Sequence, residues 1–486
     1  MIVFNPNDLI TLLPEVVLLG LTCAILLIDL FLKQQRRGVT HWASVLALIV
    51  TGVLVWRGAP DAAGSVSAFN GMFISDGVAT LLKLFVLLTT GAVMVYGRTY
   101  LHDRRLFAGE FYLLLLFATL GMMILVSAGS LVTVFLGLEL LTLSSYALVA
   151  LNRDSAIASE AAIKYFVLGS LASGLLLYGM SMIYGATGTL DLAQIHALAS
   201  FAAGSPHQAL LAFGLVFLVV GIAFKLGAAP FHMWLPDVYQ GAPTPITLFV
   251  GSASKLAAFG MAYRLLDGAL GGMAGDWTAM LGLIAALSLA VGNLFAIVQS
   301  NLKRMLAYST ISHMGFLFLG LVNGGPEGFA AAMFYAITYA LMTTVAFGMI
   351  LLLARAGFEA EEIDDFKGLN QRNPWYAAMM ALAMFSLAGV PPLFGFFAKL
   401  LVLRAVIDAG HLWLAIVAIV FAIVGLFYYL RVVKVMYFDD AADPAPLELP
   451  RDRPFRWALS LNGLTLLVMG ATWGPLFAWC NRALGS

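Results

Sequence analysis

The stretch Gly221-Ile-Ala-Phe-Lys-Leu-Gly-Ala-Ala-Pro-Phe-His-Met-Trp-Leu-Pro236 interrupts an apolar run in the middle of the chain. A second stretch, Ala388-Gly-Val-Pro-Pro-Leu-Phe-Gly-Phe-Phe-Ala-Lys399, interrupts a later apolar run in the same way. Proline removes a backbone donor and breaks a helix, and irregular backbone at membrane depth persists only inside protein or beside water. The two stretches therefore predict two discontinuous transmembrane helices, with Lys225 and Lys399 beside the breaks.

The composition excludes a water-soluble protein. Of the 486 residues, 62% are hydrophobic and only 11% are charged, whereas soluble domains carry roughly 25% charged residues. The formal net charge is zero, which argues against a generally basic surface for nucleic acid. The sequence is therefore expected to be an all-α polytopic membrane protein.

Apolar runs that are long enough to cross a ~30 Å hydrocarbon core recur from end to end. The predicted spans are 9–32, 40–57, 75–97, 111–128, 130–150, 161–185, 208–229, 245–266, 277–299, 305–322, 328–354, 375–405, 411–436 and 456–480, which makes about 14 transmembrane helices. Loops after odd-numbered spans hold most of the lysines and arginines, whereas loops after even-numbered spans hold only Arg57, Arg264 and Arg404. By the positive-inside rule both termini are predicted to be periplasmic.

The two interrupted spans are the seventh and the twelfth, five spans apart. Paired broken helices in corresponding positions are the sequence signature of repeat-built transporters. We therefore predict helices 1–3 in residues 1–110, a first five-helix repeat (helices 4–8) in 111–270, a second (helices 9–13) in 271–440, and helix 14 in 441–486.

Several ionisable residues fall inside or at the edge of apolar spans, where a central charge costs about 2.5–3.5 kcal/mol. Glu139 and Lys225 are the candidate ion pair, in which movement or protonation of the carboxylate would load or unload the lysine with a proton. Lys255 lies in the next span and could receive that proton, and Lys399 would then stand on the exit side. This pattern indicates proton transfer along buried side chains.

Less specific interpretations apply to lysines near helix ends, which usually reach the membrane interface. Lys83 and Lys164 are of this kind, and Lys164 also follows Glu160 by four residues, the spacing of a local ion pair. Glu15 flanks the first span and is expected at the interface. Lys164 therefore remains a secondary candidate for the proton path.

His313 and His232 are further secondary candidates, each open to two interpretations. His313 lies near hydroxyl side chains that could carry a proton, and His232 lies beside the first break; each is equally interpretable as a hydrogen-bonded core histidine. Two cysteines cannot supply the roughly four ligands of an iron–sulfur cluster, and no Gly-rich dinucleotide motif follows a strand-like run. No cofactor or metal is expected in this chain.

At these residues the sequence resembles a known family, the antiporter-like subunits of respiratory complex I, which are also similar to subunits of multi-subunit cation/proton antiporters. The resemblance rests on the segments around Glu139, Lys225 and Lys255, and on the following stretches: Ala229-Pro-Phe-His-Met-Trp-Leu-Pro-Asp-Val-Tyr-Gln-Gly-Ala-Pro-Thr-Pro245, Leu302-Lys-Arg-Met-Leu-Ala-Tyr-Ser309 and Gly389-Val-Pro-Pro-Leu-Phe-Gly-Phe-Phe-Ala-Lys399. It extends over essentially the whole chain. Within the family the chain is most similar to the type that stops after its fourteenth span and carries a lysine, not a glutamate, at position 399.

The resemblance implies more than the residues alone. It implies that the five-helix repeats are inverted, that Glu139 and Lys225 are the family's ion pair, and that Lys255 and Lys399 are its bridging and second-half lysines. Proton translocation would be driven by NADH oxidation and quinone reduction in other subunits, which would hold the flavin and the iron–sulfur clusters. The implied partners are other complex I membrane subunits, including a second antiporter-like subunit and small membrane subunits, in a bacterial inner membrane. A cation/proton antiporter subunit driven by an ion gradient is the alternative.

Overall fold

A computed structural model describes residues 6–33, 36–60, 64–200, 207–441, 450 and 452–485. Within these ranges the chain is almost entirely helical. In chain order the helices are α1 (Pro6–Thr11), α2 (Leu13–Leu30), α3 (Gly38–Arg57), α4 (Gly77–Asp103), α5 (Gly109–Val126), α6 (Leu131–Val149), α7 (Ala156–Thr187), α8 (Leu192–Ser200), α9 (Gln208–Leu226), α10 (Trp234–Gly241), α11 (Thr244–Gly251), α12 (Ala253–Leu266), α13 (Ala274–Ile297), α14 (Leu302–Val322), α15 (Pro326–Leu353), α16 (Leu369–Arg372), α17 (Pro374–Ala388), α18 (Phe394–Asp408), α19 (Leu412–Phe438), α20 (Arg453–Ala471) and α21 (Gly474–Ala483).

The prediction of an all-α polytopic membrane protein is confirmed. Twelve helical stretches in the described residues are long and apolar enough to cross a membrane, and a thirteenth results if the pair α20 and α21, bent by 82°, counts as one crossing. The predicted span 375–405 consists of two 15-residue helices, α17 and α18. Helix length and composition thus support twelve or thirteen crossings, compared with the predicted fourteen.

Both predicted breaks are present, and a third was not predicted. The helix α9 ends at Gly227 with φ +79°, and α17 ends at Gly389 with φ +86°, a left-handed conformation that glycine adopts without steric cost. Residues 227–233 and 389–393 then separate each helix from the next one. The predicted span 245–266 is also interrupted, at Ser252, between α11 and α12.

Central helices are buried on all sides. The apolar windows of α14 and α15 are completely buried, and 94% of the window formed by α11 and α12 is buried. The outer helices α2, α3, α7 and α19 carry many exposed aliphatic and aromatic side chains, as expected of surfaces that face lipid. The buried helices therefore form an interior in which polar side chains are shielded from the surroundings.

Close helix packing depends on glycine, as is common between membrane helices. A Cβ on Gly121 of α5 would lie 2.6 Å from the backbone nitrogen of Leu141 in α6, and one on Gly137 of α6 would lie 2.7 Å from that of Leu125 in α5. These separations leave no room for a side chain. The contact fixes α6, which carries Glu139, against α5.

A small β-hairpin joins α3 to α4, a feature that the apolar pattern did not predict. The strands β1 (Val66–Ala68) and β2 (Phe73–Ser75) are antiparallel, with Ser67 opposite Ile74. Ala68 and Phe73 are buried. The hairpin thus closes one end of the N-terminal helices.

Candidate proton-transfer site

Lys225 lies in the last turn of α9, immediately before the first break, and only 6% of the residue is exposed. Its Nζ donates a hydrogen bond of 2.9 Å to Oγ1 of Thr142 in α6. The Thr142 hydroxyl donates in turn to the carbonyl of Leu138, at 2.6 Å. The ammonium group is therefore held by a neutral hydroxyl inside the bundle.

Glu139 and Lys225 do not form the direct ion pair that the sequence predicted. No ion pair within 4.0 Å joins them in the part of the chain described, and Oε1 of Glu139 is buried without a hydrogen-bond partner there. Thr142 lies three residues after Glu139, on the same side of α6, so the lysine contacts the hydroxyl next to the carboxylate. Side-chain direction at this scale cannot be predicted from spacing.

Glu139 occupies the middle of α6, at the border between the buried and the exposed face of the helix. The residue is half-buried, whereas Leu136 and Leu143, one turn before and one turn after it, are 60% and 55% exposed. A carboxylate at membrane depth is costly unless it is paired or reaches water. Oε1 of Glu139 is shielded by the protein itself.

Lys255 is completely buried in α12, and its partners are backbone carbonyls. Its Nζ donates to the carbonyl of Leu226 at 2.8 Å and to that of Lys225 at 3.4 Å, and lies 5.2 Å from the centre of the Trp234 ring. The last carbonyls of a helix have no partner within the helix and favour a positive charge. The break after α9 thus exposes the carbonyls that bind Lys255, which places two lysines at one helix end.

Lys399 repeats this arrangement at the second break. Its Nζ donates to the carbonyls of Leu387 and Ala388, the last residues of α17, at 2.9 and 2.8 Å. The same atom lies 5.0 Å from the centre of the Phe316 ring. A buried lysine therefore contacts the C-terminal end of the helix that precedes each of the two predicted breaks.

His313 is buried in α14, three residues before Phe316, and both ring nitrogens have a partner. Nδ1 lies 2.6 Å from the hydroxyl of Tyr335, and Nε2 lies 3.0 Å from that of Tyr429. The Tyr429 hydroxyl is also 2.5 Å from Oγ of Ser309. Hydroxyls both donate and accept, so the geometry fits a proton relay and a hydrogen-bonded core histidine equally.

The tyrosines around His313 were missed at the sequence level. The hydrogen-bonded pair of Tyr339 and Thr310 also lies next to His313. The Tyr339 hydroxyl donates to Thr310 at 2.7 Å, and the ring centre of Tyr339 lies 5.0 Å from that of His313. The signal that was available is the spacing of Tyr335 and Tyr339, which lie one turn apart in the apolar helix α15.

Two secondary candidates lie away from this interior. Lys164 is substantially exposed, and its Nζ lies 2.8 Å from both Glu160 and Asp237, so the predicted local ion pair is present. His232 is half-buried in the segment after the first break, and its Nδ1 has no partner in the residues described. Among the described residues, no hydrogen bond joins Lys164 or Nδ1 of His232 to the buried lysines.

Lys83 and Glu15 form a buried ion pair that the sequence did not predict. The protein covers both side chains, and Nζ of Lys83 lies 2.7 Å from Oε1 of Glu15. The ring of Phe73, in the unpredicted hairpin, lies 4.8 Å from the same nitrogen. Burial here results from packing of α2, α4 and the hairpin, which local sequence does not show.

The structure therefore defines a class of protein: an all-helical membrane protein with lysines buried at the ends of broken helices. Among the described residues no three His, Cys, Asp or Glu side chains converge where they could hold a metal ion. The chain's two cysteines are not bonded to each other.

Comparison with known proteins identifies the family. The family described as NADH:quinone oxidoreductase/Mrp antiporter, transmembrane, matches residues 128–425. NADH-quinone oxidoreductase subunit N of Xanthomonas euvesicatoria pv. vesicatoria (strain 85-10) is 56% identical over 476 residues, 98% of this chain and 96% of that protein. The subunit N of Herminiimonas arsenicoxydans is 53% identical over 99% of both chains. The chain belongs to this family, and the resemblance inferred from its motifs, including the likeness to the N-type subunit, is confirmed.

Solved structures share the fold. A chain of respiratory complex I from Thermus thermophilus, solved with bound aureothin, matches with a TM-score of 0.80 and 33% identity over 96% of this chain and 98% of that one. A chain of the Mrp complex from Dietzia sp. matches with a TM-score of 0.82 over 99% of this chain and 97% of that one, but at 21% identity, which shows the fold alone.

Proposed function

We propose that this chain translocates protons as a membrane subunit of an NADH–quinone oxidoreductase, while electron transfer takes place in other subunits. Relatives with that name are 52–56% identical over at least 94% of the chain. One observation carries the proposal: Lys225, Lys255 and Lys399 are buried, and none has a carboxylate within 4.0 Å among the described residues. Their Nζ atoms contact only neutral oxygen atoms in the hydrogen bonds described above.

The proposed order of proton transfer follows the contacts within each half of the chain, and the step from Lys255 to His313 joins the two halves. Glu139 lies one turn before Thr142 on α6, and Thr142 binds Lys225, so the carboxylate controls the charge of Lys225. Lys255 binds the carbonyls at the end of α9, the helix end that carries Lys225. His313, with its two tyrosine hydroxyls, continues the path to Lys399, which packs on Phe316 one turn along α14. His232 and Lys164 are secondary candidates at the periphery of this path.

The remaining expectations become part of the proposal. The two broken helices support inverted five-helix repeats in 111–270 and 271–440, with residues 1–110 and 441–486 outside them. We place the chain in a bacterial inner membrane with periplasmic termini, beside a second antiporter-like subunit and small membrane subunits of the complex. Flavin and iron–sulfur clusters are assigned to partner subunits, and this chain is assigned no cofactor.

The test is Lys225→Met in the assembled complex, reconstituted into vesicles. Methionine cannot bind a proton, so a proton would have to pass this point of the bundle without a side chain that accepts it. An uncompensated charge at the membrane centre costs about 2.5–3.5 kcal/mol. Proton pumping should therefore fall on the order of 100-fold, with the complex still assembled. NADH–quinone reductase activity and a pH-sensitive dye measure the two rates. Lys434→Met, which changes a largely exposed lysine paired with Asp439, is the matched control. Normal pumping by an intact Lys225→Met complex would contradict the assignment.

Cation/proton antiport is the second candidate, because the matching family includes Mrp antiporters and the Dietzia structure shares the fold. It predicts sodium-dependent proton exchange in vesicles without NADH. The complex I reading predicts instead that pumping requires NADH and quinone and stops with an inhibitor of electron transfer.

A further inference from the structure

A deep apolar groove of about 600 Å³ runs between α3, α4, α15 and α20. Its floor includes Leu48, Leu87 and Leu341, which are nearly inaccessible, whereas Leu88 and Leu461 on its rim are 57% and 69% exposed. A transmembrane helix is about 10 Å across and about 27 Å long, or about 2,000 Å³. The groove holds only part of such a volume, so it does not enclose a helix; it has room for a single acyl chain.

The polar side chains that line the groove already have partners in the protein. Thr89 donates to the carbonyl of Phe85, Thr344 to that of Ala340 and Thr465 to that of Leu461, each at 2.7–2.8 Å. Asn462 donates to the hydroxyl of Tyr96 at 3.4 Å. The groove thus offers a hydrocarbon surface without free hydrogen-bonding groups.

A second cavity, of about 1,080 Å³, lies at one end of the same helices and is lined by charged residues. The two cavities are stacked: Val95 and Thr99 lie four residues apart on α4, as do Ala458 and Pro454 on α20, with the first of each pair in the groove and the second in the charged cavity. Residues four apart share a helix face. One extended molecule can therefore occupy both cavities.

The charges in the second cavity favour an anion. Its arginines are Arg98, Arg105 and Arg453, and its carboxylates are Asp103 and Asp452. Asp452 lies 3.9 Å from Arg98, and Asp103 lies 3.5 Å from His102. Arg105 and Arg453 form no ion pair within the described residues and are exposed, so two guanidinium groups are free to bind a phosphate.

We propose that these cavities form a binding site for an anionic phospholipid, with an acyl chain in the groove and the phosphate between Arg105 and Arg453. Basic pockets between transmembrane helices are a recognised way of binding anionic lipid headgroups. The site is separate from the buried lysines and does not depend on their role in proton transfer.

Gly91→Leu tests the groove. A Cβ on Gly91 would lie 4.0 Å from Leu48, an ordinary contact, and because Gly91 lines the groove, a leucine there takes up space of the acyl chain. Gly52→Leu is the second variant, with its Cβ 3.8 Å from Leu87. Gly174→Leu on α7 is the matched control, because that glycine has no neighbouring atom within 4 Å of an added Cβ.

Arg105→Gln with Arg453→Gln tests the headgroup cavity, and Arg153→Gln, an exposed arginine after α6, is its control. The whole complex is purified, stripped of lipid, incubated with vesicles of phosphatidylglycerol and phosphatidylethanolamine, and re-isolated. Quantitative mass spectrometry then counts the phospholipids retained per complex.

The groove variants are expected to retain one phosphatidylglycerol fewer than the wild type, with both controls unchanged. The double arginine variant should bind that lipid about 30-fold more weakly, about fivefold for each arginine. Unchanged phosphatidylglycerol in both sets, or loss of phosphatidylethanolamine in its place, overturns the proposal. So does a photo-crosslinker at Leu461 that captures a protein subunit and no lipid.

Discussion

Glu15 and Lys83 form an ion pair inside the N-terminal part of the bundle, and Lys83→Met should loosen that region. The two charged atoms lie 2.7 Å apart, with only 3% and 5% of the side chains exposed. No other residue in the described chain hydrogen-bonds to the Glu15 carboxylate. The substitution therefore leaves a buried carboxylate without a partner.

Three magnitudes bear on the expected cost. At 2.7 Å the Coulomb attraction is about 6 kcal/mol with an effective dielectric constant of 20, and the desolvation of both ions offsets part of it. Removing one member of a buried pair costs about 3–5 kcal/mol in proteins. Neutralising a glutamate by protonation at pH 7 costs about 4 kcal/mol. We therefore expect local opening of α2 and α4 to become about 3–5 kcal/mol easier.

Hydrogen–deuterium exchange of the assembled complex measures this opening directly, because exchange reports local unfolding free energies. A loss of about 3 kcal/mol corresponds to about 150-fold faster exchange, since about 1.4 kcal/mol is tenfold. Peptides from α2 and from the first half of α4 should show it, whereas peptides from α14 should not.

The control is the double variant Glu15→Gln with Lys83→Met, in which no charge remains to be buried. Replacing a buried ion pair with neutral side chains is often close to neutral, so exchange should return to within about tenfold of the wild type. Exchange in Lys83→Met less than tenfold faster than in the wild type would refute the reasoning, as would a double variant no better than the single one.

Two further outcomes are expected in the assembled complex. Thr142→Val removes the hydroxyl that binds Lys225. Because a hydrogen bond to a charged group contributes about 1.5–3 kcal/mol, proton pumping in vesicles should fall about tenfold or more. Ser145→Ala, which removes another hydroxyl of α6, should leave proton pumping unchanged. Arg264→Gln breaks a two-bond ion pair with Asp76, at 2.7 and 2.8 Å. Exchange at the start of α4 should become at least about 150-fold faster, as expected for a loss of about 3–5 kcal/mol; exchange at the wild-type rate would contradict this.

Much of the fold could be predicted because the signals for membrane helices lie in the local sequence. Length and hydropathy place most of the crossings, and proline with glycine marks the breaks after Leu226 and Ala388, since both features act through the backbone of the residues that carry them. The interruption at Ser252 is marked only by the pair Gly251-Ser252, with no proline after it, and such a pair is a weaker signal than the prolines of the other two breaks. Its position depends on the packing of α11 and α12 against other helices.

The partners of the charged groups could not be predicted. Lys255 binds carbonyls about thirty residues earlier in the chain, and carbonyls have no signature in sequence because every residue has one. Lys83 was expected at the interface because it lies only six residues into α4, and that argument ignores the hairpin and α2, which cover it. Burial is a property of the assembled bundle, whereas helix formation is local.

The partners divide the buried lysines into two kinds, and this division bears on which of them can move a proton. If Lys83 lost its proton, the Glu15 charge would remain buried without compensation, so the pair is expected to keep a fixed charge. Lys255 and Lys399 contact only helix-end carbonyls, which are neutral and accept a hydrogen bond from an amine as well as from an ammonium group. Loss of the proton leaves no ion behind. The broken helices therefore supply the kind of partner that a lysine needs in order to change its charge inside a membrane.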